Sequence, residues 1–530
     1  MGEQVEIKIM TDSGGSLIKA EKGSLLLYVL NEAGIKLNTV CGGSGRCGKC
    51  AVKVLGGSID PTPDDKRIFS EKQLSEGCRL SCRAVVKDDL SIRILRAEEK
   101  DMIAALSDTG QVEAPGEGEK TFSRSNGAGI AIDIGTTTLA LSLVDLTQGT
   151  VPDTVTSVNP QRSLGSDVIS RIDAATSGRA AELKSLISGE LCSGIKRLME
   201  RNRITAPSVI RKAAIAGNTA MLHLLTGYPV KGLSAYPFTP VNLSLEKRPL
   251  EELIPGLPEK LKNVTAFLLP GASAFIGADI ISGLYSLGFH EKDGISALID
   301  LGTNGEMVIG NREKLLAASA AAGPAFEGGS ITWGSAGIPG AISKVEIKGD
   351  KAAVETLGNR EFPLGICGTG VIETCAELLD KGLIDENGLL CDPFFDPGFP
   401  LAETKEGESI VFTQDDIREF QLAKAAIRAG FEILLKRYGA GYEDIENLYI
   451  SGGFGCFLNI KKAARTGLIP EELLSKCIPC GNTSLSGTIR FLREGEAAFM
   501  AFAALTAATE VIELSNDPSF NDLYLNRLSF

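Results

Sequence analysis

Four cysteines are spaced to hold iron. Cys41, Cys47 and Cys50 stand in CGGSGRCGKC, a C-x5-C-x2-C pattern, and Cys82 follows in RLSC. Thiolates in this arrangement can wrap one 2Fe–2S cluster. Three ligands on one tight loop need glycines that bend the backbone and aim amides at sulfur; Gly42, Gly43, Gly45 and Gly48 supply them. Cys78 competes with Cys82 for the fourth position. Zinc is the alternative for such thiols, although zinc loops usually pair one C-x2-C with another. A second chemistry lies further along, where Asp133 opens DIGTTT and Asp300 opens DLGTNGE. The glycine and threonine amides and hydroxyls of such a turn can cradle phosphate oxygens. They are Gly135, Thr136, Thr137 and Thr138 in the first turn, and Gly302, Thr303, Asn304 and Gly305 in the second. The leading aspartate can hold the water shell of Mg2+. Gly452, Gly453 and Gly455, in SGGFG, end an apolar strand and leave room for adenine and ribose against the backbone.

The elements that must position these residues follow from periodicity and punctuation. VEIKIM and SLIKAEKG read as short strands, SLLLYVLNEAG as an amphipathic helix ended by Gly34, and CAVKVLGG and DLSIRILRA as further strands. Residues 1–96 therefore form a first unit. Residues 97–126 are acidic and without periodicity, and read as a linker, with a packed surface loop as the alternative. From there the chain echoes itself. GIAIDIGTTTLALSLVD resembles GISALIDLGTNGEMVIG, each an apolar strand, an Asp-x-Gly-Thr turn and a second strand. Two α/β lobes are expected, 127–293 and 294–530. Helices are expected at GNTAMLHLL, VIETCAELL and DIREFQLAKAAIRAGFEILLKRYG, and a buried one at Ala497–Thr509.

Composition narrows the classes. The formal charge is −13 and only two histidines occur, which argues against a basic nucleic-acid surface and a histidine metal site. The charge is uneven: 15 Lys and Arg against 12 Asp and Glu give residues 1–96 a formal +3, leaving −16 on the rest. There is no apolar signal core at the N-terminus and no run long enough to span a membrane, so a cytoplasmic protein is expected. Cys477 and Cys480 make a lone C-x2-C with no second cluster expected, and His223 reads as a satisfied helix histidine.

The cysteine loop resembles plant-type and adrenodoxin-like ferredoxins, with one extra residue in the first spacer of the plant-type pattern. RLSCRAVV resembles the ferredoxin segment that leads into a buried strand, which favours Cys82 over Cys78. The glycine turns resemble the superfamily of acetate and sugar kinases, heat-shock chaperones and actin, with phosphate 1 at Asp133–Thr138, phosphate 2 at Asp300–Glu306 and adenosine at Ser451–Gly455. No P-loop occurs. That resemblance implies that Asp133 and Asp300 face one another across a cleft, positioning Mg2+ and an attacking water. Glu306 is the candidate base or metal-shell residue, with simple exposure as the alternative.

A ferredoxin module joined to this ATPase type resembles the reductive activators of corrinoid proteins. NPQRSLGSDVISRI, AGNTAMLHLLTG, GADI, LIDLGTNGE, AAGPAFEGG, GICGTGVIE, FTQDDIREFQLAKAAI and SGGFG are similar to that family's motifs over nearly the whole chain. The resemblance implies an α/β multidomain chain: an N-terminal β-grasp 2Fe–2S ferredoxin domain, a linker, and a two-lobed RNase H-like, actin-like ATPase body. It implies ATP and Mg2+ beside the cluster. It also implies a task, passing an electron to an inactive Co(II) corrinoid protein of a methyltransferase system to restore Co(I), with an external low-potential donor. A homodimer is compatible with it; membrane and nucleic-acid partners are not expected. Ala318–Ala341, with Phe326 and Trp333, is the candidate docking surface, with packing behind phosphate 2 as the alternative. The rival function is a small-molecule kinase of the same ATPase type with a redox-sensing ferredoxin domain.

Overall fold

The computed structural model describes residues 3–11, 14–33, 35, 37, 45, 48, 50–95, 127–349, 351–405, 407–453 and 458–530. The expected linker, Gly34, Cys41, Gly42, Gly43, Cys47 and Gly455 lie outside them. Two compact units emerge, one drawn from Met1–Lys100 and Gln161–Arg171, the other from Asp101–Pro160 and Ile172–Phe530.

In the first unit, strand β1 (Gln4–Thr11) pairs antiparallel with β2 (Gly14–Glu21). Next come β3 (Ala51–Gly56), β4 (Cys78–Leu80) and β5 (Leu90–Ile94), giving a five-stranded sheet in the order β2-β1-β5-β3-β4. β1 and β5 run parallel. The helix Leu26–Glu32 buries Leu26, Leu27 and Leu30 in the same cluster as Ile7, Ile9, Val52 and Ile92. Two short helices, Pro63–Ile68 and Glu71–Ser75, were not expected, yet each is announced by a capping box, Thr62 with Asp65 and Ser70 with Gln73. Asp65 is buried and its Oδ1 accepts the Leu80 amide at 2.7 Å, tying the first of these helices to the strand that leads into Cys82.

The second unit contains two six-stranded sheets of like design. The first joins β6 (Ala128–Ile134), β7 (Thr138–Asp145), β8 (Asp153–Val158), β9 (Ile210–Gly217), β10 (Glu246–Pro249) and β11 (Thr265–Leu268) in the order β10-β11-β9-β6-β7-β8. The second is built on β12 (Ile295–Leu301), β13 (Gly305–Gly310) and β14 (Leu315–Ala320), with strands Ile445–Ser451 and Cys477–Gly481 beyond β12 and Thr509–Val511 beyond β14. Each sheet has a three-strand antiparallel meander followed by two parallel strands. The echo read in the sequence is thus an echo of topology.

The halves are not separate in the chain. Helix Thr483–Glu494 packs on β6, β7 and β9 and against helix Ala278–Ser286, although it follows strand Cys477–Gly481 of the second sheet. Gly487 permits that approach, since a Cβ there would stand 1.9 Å from the Ser282 carbonyl oxygen. The expected helices occur at Thr219–Thr226, Gly368–Asp380 and Gln414–Tyr438. The run expected as a buried helix forms helix Glu496–Ala508, but only one face is covered. Ala498, Phe502 and Leu505 are buried while Met500 is 77% exposed; an evenly apolar sequence does not reveal which face packs.

Candidate functional site

In the first unit the fold brings Cys50 and Cys82 together. Leu80 pairs with Ala51 across the β3–β4 ladder, and the Ser81 amide bonds the Cys50 carbonyl. The two sulfurs, both buried, lie 3.3 Å apart, far beyond the ~2.05 Å of a disulfide bond. Two thiols facing at this distance suit a shared iron centre. Cys78 pairs with Lys53, further down the ladder, and is buried there. Gly45 has a φ of +76°. A Cβ there would meet Arg83 Nε at 2.6 Å and Asp64 Oδ2 at 2.7 Å, atoms that form an ion pair with each other. Gly48 is also left-handed, at φ +69°.

In the second unit both phosphate turns line one cleft of about 1270 Å3, counting its open mouth. Each turn is closed by its glycine amide, Gly135 on the Thr138 carbonyl three residues on and Gly302 on the Asn304 carbonyl two residues on. Asp133, Asp300 and Glu306 all line the cleft, with Gly135, Thr136, Thr137, Thr138, Gly302, Thr303, Asn304, Gly452 and Gly453. Gly305 is buried in the first residue of β13. Antiparallel register sets Glu306 opposite Asp300, so both carboxylates share one sheet face; Glu306 is buried, not exposed. Gly452 has φ +119°, and a Cβ there would stand 2.2 Å from the Leu301 carbonyl oxygen.

Sequence reading missed the residues that hold these carboxylates. Asn482 Nδ2 donates to Asp133 Oδ2 at 2.7 Å and Ser484 Oγ donates to Oδ1 at 2.7 Å. Ser451 Oγ donates to Asp300 Oδ2. Asn218 Nδ2 donates to Thr136 Oγ1 at 3.0 Å. A signal for two of these existed. Gly217-Asn218-Thr219 and Gly481-Asn482-Thr483 are the same tripeptide, and each asparagine caps the helix after its strand. Asp279, in GADI, and Glu327, in AAGPAFEGG, also line the cleft; the sequence places both in family-like motifs, and the assembled fold gives them their position there.

Convergence of carboxylates in a protected cleft raises their pKa values. Burial is the main cause throughout. It lifts Asp133 against the pull of its Ser484 and Asn482 hydrogen bonds. Asp300 rises to about 6, with the Ser451 hydrogen bond opposing and the charges of Asp133 and Glu327 adding. Asp279 rises to about 7, helped by the charge of Asp133. Glu306 rises well above the usual range, helped by Asp279 and Asp300. Such a site holds protons near neutrality and releases them to a divalent cation. Among the described residues, no three carboxylate, thiol or imidazole side chains stand close enough together to bind a metal directly. The acidic side chains along the cleft offer the oxygen acceptors that a hydrated divalent cation takes.

Other expectations meet the structure as follows. Phe326 is fully buried, its ring edge-on to Phe420 at 5.9 Å, while Ala336 and Gly337 line the cleft. Phe326 is therefore packing behind phosphate 2 and Trp333 is half-buried, while Ala321, Ser330 and Thr332 are exposed. His223 is satisfied on both nitrogens, by the Thr219 carbonyl at 2.7 Å and the Val241 amide at 3.0 Å. Burial pushes Cys477 and Cys480 up to about 12 each, which makes both poor thiolates. No described helix is long and apolar enough to cross a membrane.

Comparison with known proteins agrees with this architecture. Residues 11–87 match the 2Fe–2S iron–sulfur cluster binding domain, 128–292 the RACo middle region, and 294–530 the C-terminal ASKHA domain of RACo. The corrinoid activation enzyme RamQ of Eubacterium limosum is 29% identical, over 97% of each chain. The [Co(II) methylated amine-specific corrinoid protein] reductase of Methanosarcina barkeri is 29% identical, over 76% of this chain and 77% of its own. A solved structure titled reductive activator for corrinoid, iron–sulfur protein superposes with a TM-score of 0.71 at 27% identity, over 99% of this chain and 98% of that one.

Proposed function

The chain belongs to the family described by the RACo middle region and C-terminal ASKHA domain, and from that premise we propose that it is an ATP-dependent reductive activator of a corrinoid protein. The observation that carries the reading is the meeting of two matched Asp-x-Gly-Thr turns in one cleft, on a chain whose other unit gathers paired thiols. Cys41, Cys47, Cys50 and Cys82 would hold a 2Fe–2S cluster, which would supply one electron at a time to take Co(II) to Co(I) on the partner, with an external low-potential donor restoring it. Plant-type clusters lie near about −400 mV. Every ~59 mV by which the cobalt couple lies lower costs a factor of ~10 in the equilibrium.

The cleft is the source of the compensating work. Thr136, Thr137, Thr138, Thr303 and the neighbouring amides receive the phosphates, and Gly452 and Gly453, with Gly455, admit the adenosine. Asp133 and Asp300 would hold a Mg2+ ion, which would supply charge neutralisation on the phosphates, and Glu306 would take the proton of an attacking water as ATP becomes ADP and phosphate. Differential binding of the nucleotide states can then bias partner release. The test mixes the reduced protein with Co(II) corrinoid protein and follows the cobalt spectrum with and without ATP. An ATP-dependent Co(I) band is expected. Its absence with every candidate corrinoid partner, or a phosphorylated small-molecule product in its place, would overturn the reading.

A further inference from the structure

Glu327 joins the two phosphate turns to each other. Thr137 Oγ1, from the first turn, donates to Glu327 Oε2 at 2.7 Å. The Thr303 hydroxyl, from the second turn, donates to the same oxygen. The carboxylate is carried on a stiff support. It ends the tight turn Pro324–Glu327, beneath which Phe326 is buried against Phe420. The next residue, Gly328, has φ +73°, and a Cβ there would stand 2.3 Å from the Ser335 carbonyl oxygen. The other carboxylate oxygen faces Gly302, 3.8 Å from where a Cβ would be.

An ionised carboxylate and a phosphoryl group present the same thing to a hydroxyl, an anionic oxygen that only accepts. One Glu327 oxygen already takes both hydroxyls, so a phosphoryl oxygen can reach them only by displacing it. Two anions cannot share that position in a half-buried cleft without strong repulsion. The geometry points to Glu327 as a positioning residue that stands in for the terminal phosphoryl group of a nucleoside triphosphate. It pins Thr137 to Thr303 until that group arrives, and then gives way. A diphosphate is one phosphoryl group shorter and leaves the pin in place. The cleft thereby distinguishes triphosphate from diphosphate, and the two turns are coupled differently in each state. This rests on the nucleotide reading of the cleft and adds to it how the cleft tells ATP from ADP.

Titration calorimetry on the full chain, with Mg2+ and either a non-hydrolysable ATP analogue or ADP, tests the assignment. Glu327→Gln removes the charge and keeps the size. It should tighten analogue binding roughly tenfold or more while moving ADP by less than about threefold. Equal shifts in both ligands, or weaker analogue binding, would overturn the assignment. Glu327→Asp keeps the charge with a shorter reach, and its preference between the ligands should stay within about threefold of the wild type. A preference in Glu327→Asp as altered as in Glu327→Gln would show that charge is not the cause, and would also overturn it. If the wild-type chain binds neither ligand, the nucleotide reading fails and the pin with it. If it binds both and Glu327→Gln leaves the preference unchanged, only the pin fails.

Discussion

Asp279→Asn should stabilise the protein, and the gain should depend on pH. Asp279 lines the cleft beside Asp133 and Asp300, and its pKa is lifted to about 7 from an ordinary 3.8. Between those values the folded chain binds a proton that the unfolded chain does not, so wild-type stability falls as pH rises through the window. Above pH 7 the full cost of keeping the carboxylate ionised is reached, about 4 kcal/mol at ~1.36 kcal/mol per unit. The side chain is only half-buried and shares its protons with neighbours, so about 2–4 kcal/mol is the working range. Asparagine keeps the oxygen that accepts the Ile280 amide at 2.9 Å and cannot ionise. Unfolding entropy of ~2.1 cal/mol/K per residue, over roughly 400 residues, converts this to a rise of about 2–5 °C in Tm at pH 8. At pH 5 about a third of the gain should remain. Thermal melts without nucleotide, at both pH values, check it. A variant no more stable than wild type at pH 8, or equally stabilised at both pH values, would refute the electrostatic account.

The remaining expectations concern the cluster and the cleft. Cys82→Ser should abolish the 2Fe–2S absorption spectrum and Cys78→Ser should leave it, because Cys82 meets Cys50 while Cys78 pairs with Lys53 further down the ladder; the reverse result would exchange their roles. Asp133→Ala should reduce ATP turnover by roughly a hundredfold or more while the cluster spectrum stays intact, measured by phosphate release. Mg2+–nucleotide binding should tighten from pH 6 to pH 8 and release protons, since Asp300 and Asp279 titrate at about 6 and about 7 and a cation favours their ionised forms. Binding heats that do not change between buffers of different ionisation enthalpy would contradict this. Gly452→Ala should destroy nucleotide binding, because a methyl group cannot fit 2.2 Å from the Leu301 carbonyl, and retained affinity in an equilibrium titration would count against the adenosine assignment.

What could be read from the sequence was the part that is local. Strand, Asp-x-Gly-Thr turn and strand are contiguous, so both hairpins and Asp133 and Asp300 were legible, as was the thiol spacing. Glu306 was ambiguous, since burial depends on which sheet face is covered, and register decided it. Asn482, Ser484 and Glu327 act on turns 349, 351 and 190 residues away, and no local pattern encodes such distances. The repeated Gly-Asn-Thr is a local pattern, but each copy alone resembles an ordinary helix cap. Phe326 was misplaced for the opposite reason: a glycine- and alanine-rich stretch reads as surface, but here it lets chain segments pack closely over a buried ring.

The reach of Ser484 back to Asp133 also sets an order for biosynthesis. A ribosome adding ~5–20 residues per second needs about 20–70 s to travel the 351 positions between them. Through that interval the first hairpin can form, while its aspartate has neither of the two side chains that later steady it. A nascent chain therefore has the first phosphate turn without a finished place for the cation, and the site is completed only when helix Thr483–Glu494 lies down on the first sheet. Polypeptides arrested short of Asn482 would carry the first phosphate turn without either side chain that steadies Asp133.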